Sequence, residues 1–191
     1  MTQMGIYFDQ TRCTGCYTCM VACKDWHDID AGPVDLMRVR CIESGTFPDL
    51  FAAYVASPCY HCANPPCVQA CPEGAISKRE DDGIVVVDRD KCVGVDQCPR
   101  KCLKACPWHA PQFGPEAGAK MQKCDLCVDR LEEGQAPICV EACPMFALEV
   151  GPIEALREKY GDHLTAVGFK HSKRFDPSVR FKPKFDFSDS W

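Results

Sequence analysis

Sixteen of the seventeen cysteines in this chain form four groups of four: Cys13, Cys16, Cys19, Cys23; Cys59, Cys62, Cys67, Cys71; Cys92, Cys98, Cys102, Cys106; and Cys124, Cys127, Cys139, Cys143. A proline follows the last cysteine of three groups, as Pro72, Pro107 and Pro144. Thiolates at the C-x2-C-x2-C-x3-C spacing of the first group are how a short chain wraps a [4Fe–4S] cube, and Cys-Pro closes the bacterial form of that run. The chemistry this predicts is one-electron transfer through iron–sulfur clusters. Disulfides are the weaker reading, because quartets spaced by two or three residues suit a metal better than paired half-cystines.

The groups differ in regularity. The second reads C-x2-C-x4-C-x3-C-P and the fourth C-x2-C-x11-C-x3-C-P. The third departs further. From its front, Val95 stands where a ligand belongs; from its back, Cys106-Pro107 closes the run with four extra residues inside. Cys98, Cys102 and Cys106 are spaced four apart, so a helix with Pro99 as its first residue would carry them on one face. The expectation is a cluster in an enlarged loop. A four-cysteine zinc site and an empty site are the alternatives. In two-cluster proteins the fourth cysteine of a run serves the neighbouring cube. Four runs then make two crossed pairs, and spacing alone leaves the partners open.

Around the ligands, Arg12, Lys24, Lys101, Lys104 and Lys123 carry charge that would raise a cluster's potential, though ordinary surface charge explains most of them. His61, between Cys59 and Cys62, reads as an N–H donor or packing residue rather than a ligand. Trp26 and Trp108 read as shields against water. Cys41, the leftover cysteine, reads as a small buried hydrophobe. No catalytic residues emerge: there is no dinucleotide fingerprint, no P-loop and no legible nucleophile–base arrangement. A cube held by four cysteines has no open coordination position, which suits electron transfer rather than bond chemistry.

The elements that must position these loops are small. Gly5 to Asp9 precedes the first quartet, and Gly83 to Asp88, entered through the turn Asp81-Asp82-Gly83, precedes the third; both read as short strands. Met37, Val39 and Cys41 share one face of a further strand, with Phe51 to Val55 as its return. Cys124 to Glu133 reads as a helix capped by Gly134, and Pro152 to Tyr160 as another, ended by Gly161. The fold class expected is α+β, with a ferredoxin-like two-cluster module used twice in a pseudo-twofold repeat. Phe175, Phe181, Phe185, Phe187 and Trp191 are too sparse and too near the end to form a core. They belong to a frayed tail or to an arm that wraps a partner.

Charged residues make up 26% of the chain with a net charge of −5, which argues against disorder and against a nucleic-acid binder. No apolar run reaches the length of a membrane span. The N-terminus shows no secretory signal, and oxygen-sensitive thiolate clusters suit a reducing compartment, so a cytoplasmic location is expected. Export attached to a signal-bearing partner is the alternative.

The four quartets, with Thr11-Arg12-Cys13-Thr14-Gly15-Cys16 and Lys123-Cys124-Asp125-Leu126-Cys127, resemble the four-cluster electron-transfer subunits of the molybdenum or tungsten bis-pterin oxidoreductases, the dimethyl-sulfoxide reductase family. The resemblance spans residues 4–151. It implies pairing of the first quartet with the fourth and of the second with the third. One cube would take Cys13, Cys16, Cys19 and Cys143, and its neighbour Cys124, Cys127, Cys139 and Cys23. A third would take Cys59, Cys62, Cys67 and Cys106, and a fourth Cys92, Cys98, Cys102 and Cys71. The implied cofactors are four [4Fe–4S] clusters, or three should the irregular quartet be empty or hold another metal. The implied modules are 1–30 with 115–151, and 58–114, with 31–57 an inserted strand pair and 152–191 a helix plus partner-wrapping tail. The implied partners are a large pterin-bearing catalytic subunit and a quinone-linked membrane subunit or soluble carrier. A freely diffusing polyferredoxin and a structural zinc protein are the competing readings of the whole chain.

Overall fold

The computed structural model of the protein describes residues 2–185, so the tail residues Phe187 and Trp191 lie outside the described part. Along the chain come β1 (Met4–Asp9), α1 (Thr18–Trp26), β2 (Val39–Thr46), β3 (Asp49–Ala56), α2 (Pro66–Ala70), β4 (Ile76–Lys78) and β5 (Val85–Val87). There follow α3 (Lys101–Ala105), α4 (Val128–Glu132), α5 (Ile138–Glu141), β6 (Leu148–Pro152), α6 (Ile153–Tyr160) and β7 (Val179–Lys182). The result is a mixed α and β architecture in which short elements alternate with cysteine loops. Among the described residues no helix is long and apolar enough to cross a membrane.

β1 is the centre of the largest sheet, ordered β6-β1-β7. It pairs antiparallel with β6, Ile6 opposite Val150 and Phe8 opposite Leu148, and parallel with β7, Ile6 opposite Val179 and Phe8 opposite Phe181. Alternation puts Ile6 and Phe8 on one face, in the core. On the other face Tyr7 stacks on Tyr160 of α6, with ring centroids 3.6 Å apart. Both faces of β1 are therefore covered, which is why Ile6, Tyr7 and Phe8 stand together without a polar alternate. β4 and β5 form a separate antiparallel pair, Ile76 opposite Val87.

β2 and β3 form an antiparallel ribbon from Val39 opposite Ala56 to Thr46 opposite Asp49. Met37 and Val39 enter the core. Cys41, next in the period, is exposed and lies across from Tyr54, which corrects the expectation that it is buried. The ribbon leaves the core just after Val39, so period-two spacing persists while one of its faces loses its cover.

The tail is not frayed where it passes the main sheet, although Phe185 beyond it is exposed. β7 supplies the third strand of the main sheet, and Val179 and Phe181 have no exposed surface. Phe181 meets Phe169 at 4.8 Å and lies edge-on to Phe8. Just before β7 the backbone closes on the second cysteine loop, with Ala63 N–H donating to Asp176 O at 2.8 Å and Ser178 N–H to Tyr60 O at 2.9 Å. Aromatics that look sparse along the tail find partners from distant segments, Phe181 meeting Phe8 and Phe175 meeting Trp108. Gln10 ties the same parts together. Fully buried, it donates to Tyr54 O and Val167 O and accepts from the amides of Val167 and Lys184.

Phe181→Ala is expected to destabilise the protein by about 3–5 kcal/mol, the usual cost of truncating a buried phenylalanine. Thermal or denaturant unfolding checks this; an effect below about 1 kcal/mol, typical of a surface position, would contradict the tail's place in the core.

Candidate iron–sulfur centres

Four cavities, each with roughly 340–400 Å³ of space that is partly open to solvent, are each lined by four cysteines. The first gathers Cys13, Cys16, Cys19 and Cys143. The second gathers Cys23, Cys124, Cys127 and Cys139. The third gathers Cys59, Cys62, Cys67 and Cys106, and the fourth Cys71, Cys92, Cys98 and Cys102. In every case three sulfurs come from one run and the fourth from the closing cysteine of another.

The strands set the spacing of the cavities. Phe8 lines the first and Ile6, two residues earlier on the same face, lines the second; Leu148 of β6 borders both. Val85 lines the third and Val87 the fourth in the same manner. Pro58 borders the second cavity while Cys59 lines the third. The cavities thus succeed one another from first to fourth.

One turn recurs at three closing cysteines. Cys71-Pro72-Glu73-Gly74-Ala75, Cys106-Pro107-Trp108-His109-Ala110 and Cys143-Pro144-Met145-Phe146-Ala147 share the pattern C-P-x-x-A. Their fourth residues, Gly74, His109 and Phe146, all have φ between 50° and 60°, and each of these amides donates to the closing cysteine's carbonyl. In two of them the alanine amide then donates to the cysteine sulfur at 3.4 Å: Ala110 to Cys106 and Ala147 to Cys143. Further donors reach Cys92 from Met121 N, Cys124 from Leu126 N and Cys16 from the Thr18 hydroxyl. Hydrogen bonds to ligand sulfur are how a protein stabilises and tunes such a centre.

Gly15 shows how tightly the first loop is held. Its φ is +68°, and a Cβ there would fall 2.3 Å from the ring of Tyr54 on β3. Gly94 does the same work in the third quartet, with φ +77° and the Gly118 carbonyl 2.3 Å from any added Cβ. The enlarged third loop brings Cys92, Cys98 and Cys102 together and leaves Val95 outside the lining. Cys98, Cys102 and Cys106 do not share a helical face. Arg100, in the left-handed region, separates Cys98 from α3, and Cys106 follows the helix in extended backbone and turns to the third cavity. Pro99 lies outside the helix. The Cys124 loop likewise delays its helix to Val128, because Leu126 and Cys127 both adopt positive φ; Gly134 caps its end as expected.

Burial and mutual repulsion push several of these thiols toward the protonated form. Desolvation, followed by the neighbouring cysteines, pushes Cys19 up to about 12, and desolvation with Cys127 nearby does the same to Cys23. Cys67 is pushed up to about 12 by burial and by Cys59, and Cys102 to about 11, chiefly by burial. Burial also raises Cys62, Cys139 and Cys124 strongly. Cys16, at the exposed rim of the first cavity, is lowered by its bonds to Thr18. Four ionised sulfurs in one such cavity call for a cationic centre.

The sulfurs are too widely set for a single ion. Among the described residues the one trio with ligand atoms within 4.8 Å of one another is His27, Asp125 and Cys127; no three sulfurs of one cavity lie that close. A tetrahedral zinc at about 2.3 Å from each sulfur needs them about 3.8 Å apart. Quartets of thiols set wider than this, in apolar walls with amide donors, fit a polynuclear iron–sulfur group.

Comparison with known proteins agrees. The family model of the 4Fe-4S dicluster domain matches residues 50–153. The sequence is 43% identical to a chain of the anaerobic dimethyl sulfoxide reductase of Escherichia coli K12, over 95% of its own length and 89% of that protein's. The protein belongs to the 4Fe-4S dicluster family of dimethyl sulfoxide reductase iron–sulfur subunits. Other members are the probable dimethyl sulfoxide reductase chain YnfG of the same bacterium, 44% identical over the same shares, and a subunit of the sulfite dehydrogenase of Allochromatium vinosum, 35% identical over 97% of this protein and 88% of that one.

Around the dicluster core, Trp108 lines the third cavity, whereas Trp26 is part-exposed and takes Arg130 over its ring at 4.4 Å. His61 is fully buried; its Nδ1 accepts from Val85 N–H at 2.9 Å, so Nε2 carries the proton and has no partner within the described residues. His27, which sequence reading passed over, lies 3.4 Å from Cys127 Sγ. Only its position one helical turn beyond Cys23 hinted at this.

The metal-free protein is expected to lose stability as pH rises from about 9 toward 12. Thiols held protonated by the fold ionise first in the unfolded chain, and their contribution disappears through the folded values near 12. Denaturant titrations across that range test it, and a flat profile would contradict the burial of the sulfurs. In the loaded protein a thiol reagent should modify one cysteine per molecule, at Cys41; labelling elsewhere, seen by peptide mapping, would place a free thiol in a cavity.

Proposed function

We propose that the cavities hold four [4Fe–4S] clusters and that the protein relays single electrons along them. Cys13, Cys16, Cys19 and Cys143 bind the first; Cys23, Cys124, Cys127 and Cys139 the second; Cys59, Cys62, Cys67 and Cys106 the third; Cys71, Cys92, Cys98 and Cys102 the fourth. The clusters supply reversible one-electron redox chemistry. The protein's residues hold them in series, exclude water and donate hydrogen bonds to sulfur. The observation that carries this reading is the wide setting of four thiols in each of four successive cavities.

Two modules in pseudo-twofold repeat follow from the same reading. In one, β1 enters the first quartet and pairs with β6, which leaves the fourth; in the other, β5 enters the third and pairs with β4, which leaves the second. Helices α1 and α5 meet in the first module as α2 and α3 do in the second.

The relay joins a molybdenum or tungsten pterin catalytic subunit to a quinone-linked membrane subunit or a soluble carrier. Relatives named as one chain of a dimethyl sulfoxide reductase and as a thiosulfate reductase electron transfer subunit, the latter in Salmonella typhi, support a partner of this kind. So does the first cavity, where exposed Tyr17 and Met145 join the exposed Cys16 in its lining. The complex resides in the cytoplasm, or beyond it by export with a signal-bearing partner.

Anaerobic isolation from the native source, with metal and labile-sulfide analysis, tests the proposal. The expected content is about sixteen irons per molecule, four for each cube, together with a large pterin-containing subunit. Zinc without sulfide, or a protein without metal, would refute it. Cys19→Ala should convert or remove one cube and leave three; unchanged iron and an unchanged spectrum would exclude Cys19 as a ligand.

A further inference from the structure

The third cavity differs from the others in its fixed charge. Lys123 lines it and is 5% exposed. Its ammonium donates to the carbonyls of Val85 and Cys124, the latter at 2.8 Å. Lys78 reaches the same loop, donating to Cys62 O and Ala63 O at 3.2 and 2.9 Å. Arg38 donates to Trp108 O at 2.8 Å. None of the three has a carboxylate at ion-pair distance among the described residues. By contrast, Arg12 pairs with Asp9 beside the first cavity, and Lys24 with Asp35 and Arg130 with Glu141 near the second.

A buried ammonium satisfied only by carbonyls lacks the anion that makes its burial tolerable. The third cavity supplies one: its four thiolates around a cube carry net negative charge, and reduction makes that charge more negative by one. We propose that Lys123, with Lys78 and Arg38 in support, is the residue that sets the potential of the third cluster, stabilising its reduced state. The inference rests on the cluster assignment above. Lys123 is a positioning residue in this role: its positive charge shifts the equilibrium of a centre bound by other side chains. Its place between the third cavity and Cys124, a sulfur of the second, puts that charge at the midpoint of the four-cavity series.

The test is an anaerobic redox titration of the loaded wild-type protein and of Lys123→Gln and Lys123→Arg, followed by electron paramagnetic resonance. Loss of a signal in Cys59→Ala marks the third cluster. Gln keeps a donor and drops the charge; Arg keeps the charge. In Lys123→Gln the third cluster should become harder to reduce by about tenfold or more in its equilibrium, ~59 mV for one electron. The first and fourth should hold their wild-type values, and Lys123→Arg should restore most of the shift. The inference is overturned if Lys123→Gln keeps its iron and all its potentials, or if Arg shifts them as far as Gln. Should Lys123→Gln lose the cube, Lys78→Gln decides: a smaller downward shift of the same signal supports the charge effect, and no shift refutes it. A wild-type protein without cubes would instead remove the cluster assignment itself, an outcome visible before any variant is compared.

Discussion

Sulfur atoms that are buried together resist ionising together. Each cavity here takes four thiols into apolar walls, and at Cys19 and Cys62 both desolvation and the neighbouring cysteines favour the protonated form. A polynuclear cation centre reverses that balance by binding thiolates directly, so metal loading and protein stability are linked. The rest of the architecture follows from keeping four such crowded sites apart yet in series. Strand residues two apart on one face wall successive cavities, which fixes their separation by the rise of a β-strand.

The scaffold meets this demand with repeated local devices rather than a large core. The C-P-x-x-A turn places a closing cysteine, at Cys106 and Cys143 aims an amide back at its sulfur, and accepts a left-handed residue in every case. Glycine takes that conformation readily at Gly74, whereas His109 and Phe146 adopt it against their preference. The first quartet has no proline; Cys23 continues within α1, and His27, a helical turn onward, supplies a nitrogen near Cys127 instead.

Much of the site was legible in the spacing of cysteines, because ligand geometry constrains sequence separation directly. The irregular third quartet still brings Cys92, Cys98 and Cys102 together, with Cys71 of the second as the fourth thiol, but its helix starts later than Pro99 suggests, since Arg100 must redirect the backbone from Cys98 into α3. What spacing could not reveal depends on tertiary contact. Cys41 keeps strand periodicity while its ribbon leaves the core. Phe181 looks isolated until β1 and Phe169 are beside it. Lys123 reads like its charged neighbours, and only burial separates it from Lys101 or Lys104. Gln10 carries no motif at all, yet its amide ties β3, the Val167 loop and Lys184 together.

The parallel pairing of β7 with β1 has a bearing on biogenesis. The opening strand finds its flanking neighbour only after some 170 further residues have been made. Until then the cysteines of the first loop lie beside an unfinished sheet, open to oxidation and to stray metals. Closure of that half of the molecule around inorganic sulfide and iron is thereby deferred until β7 has been made.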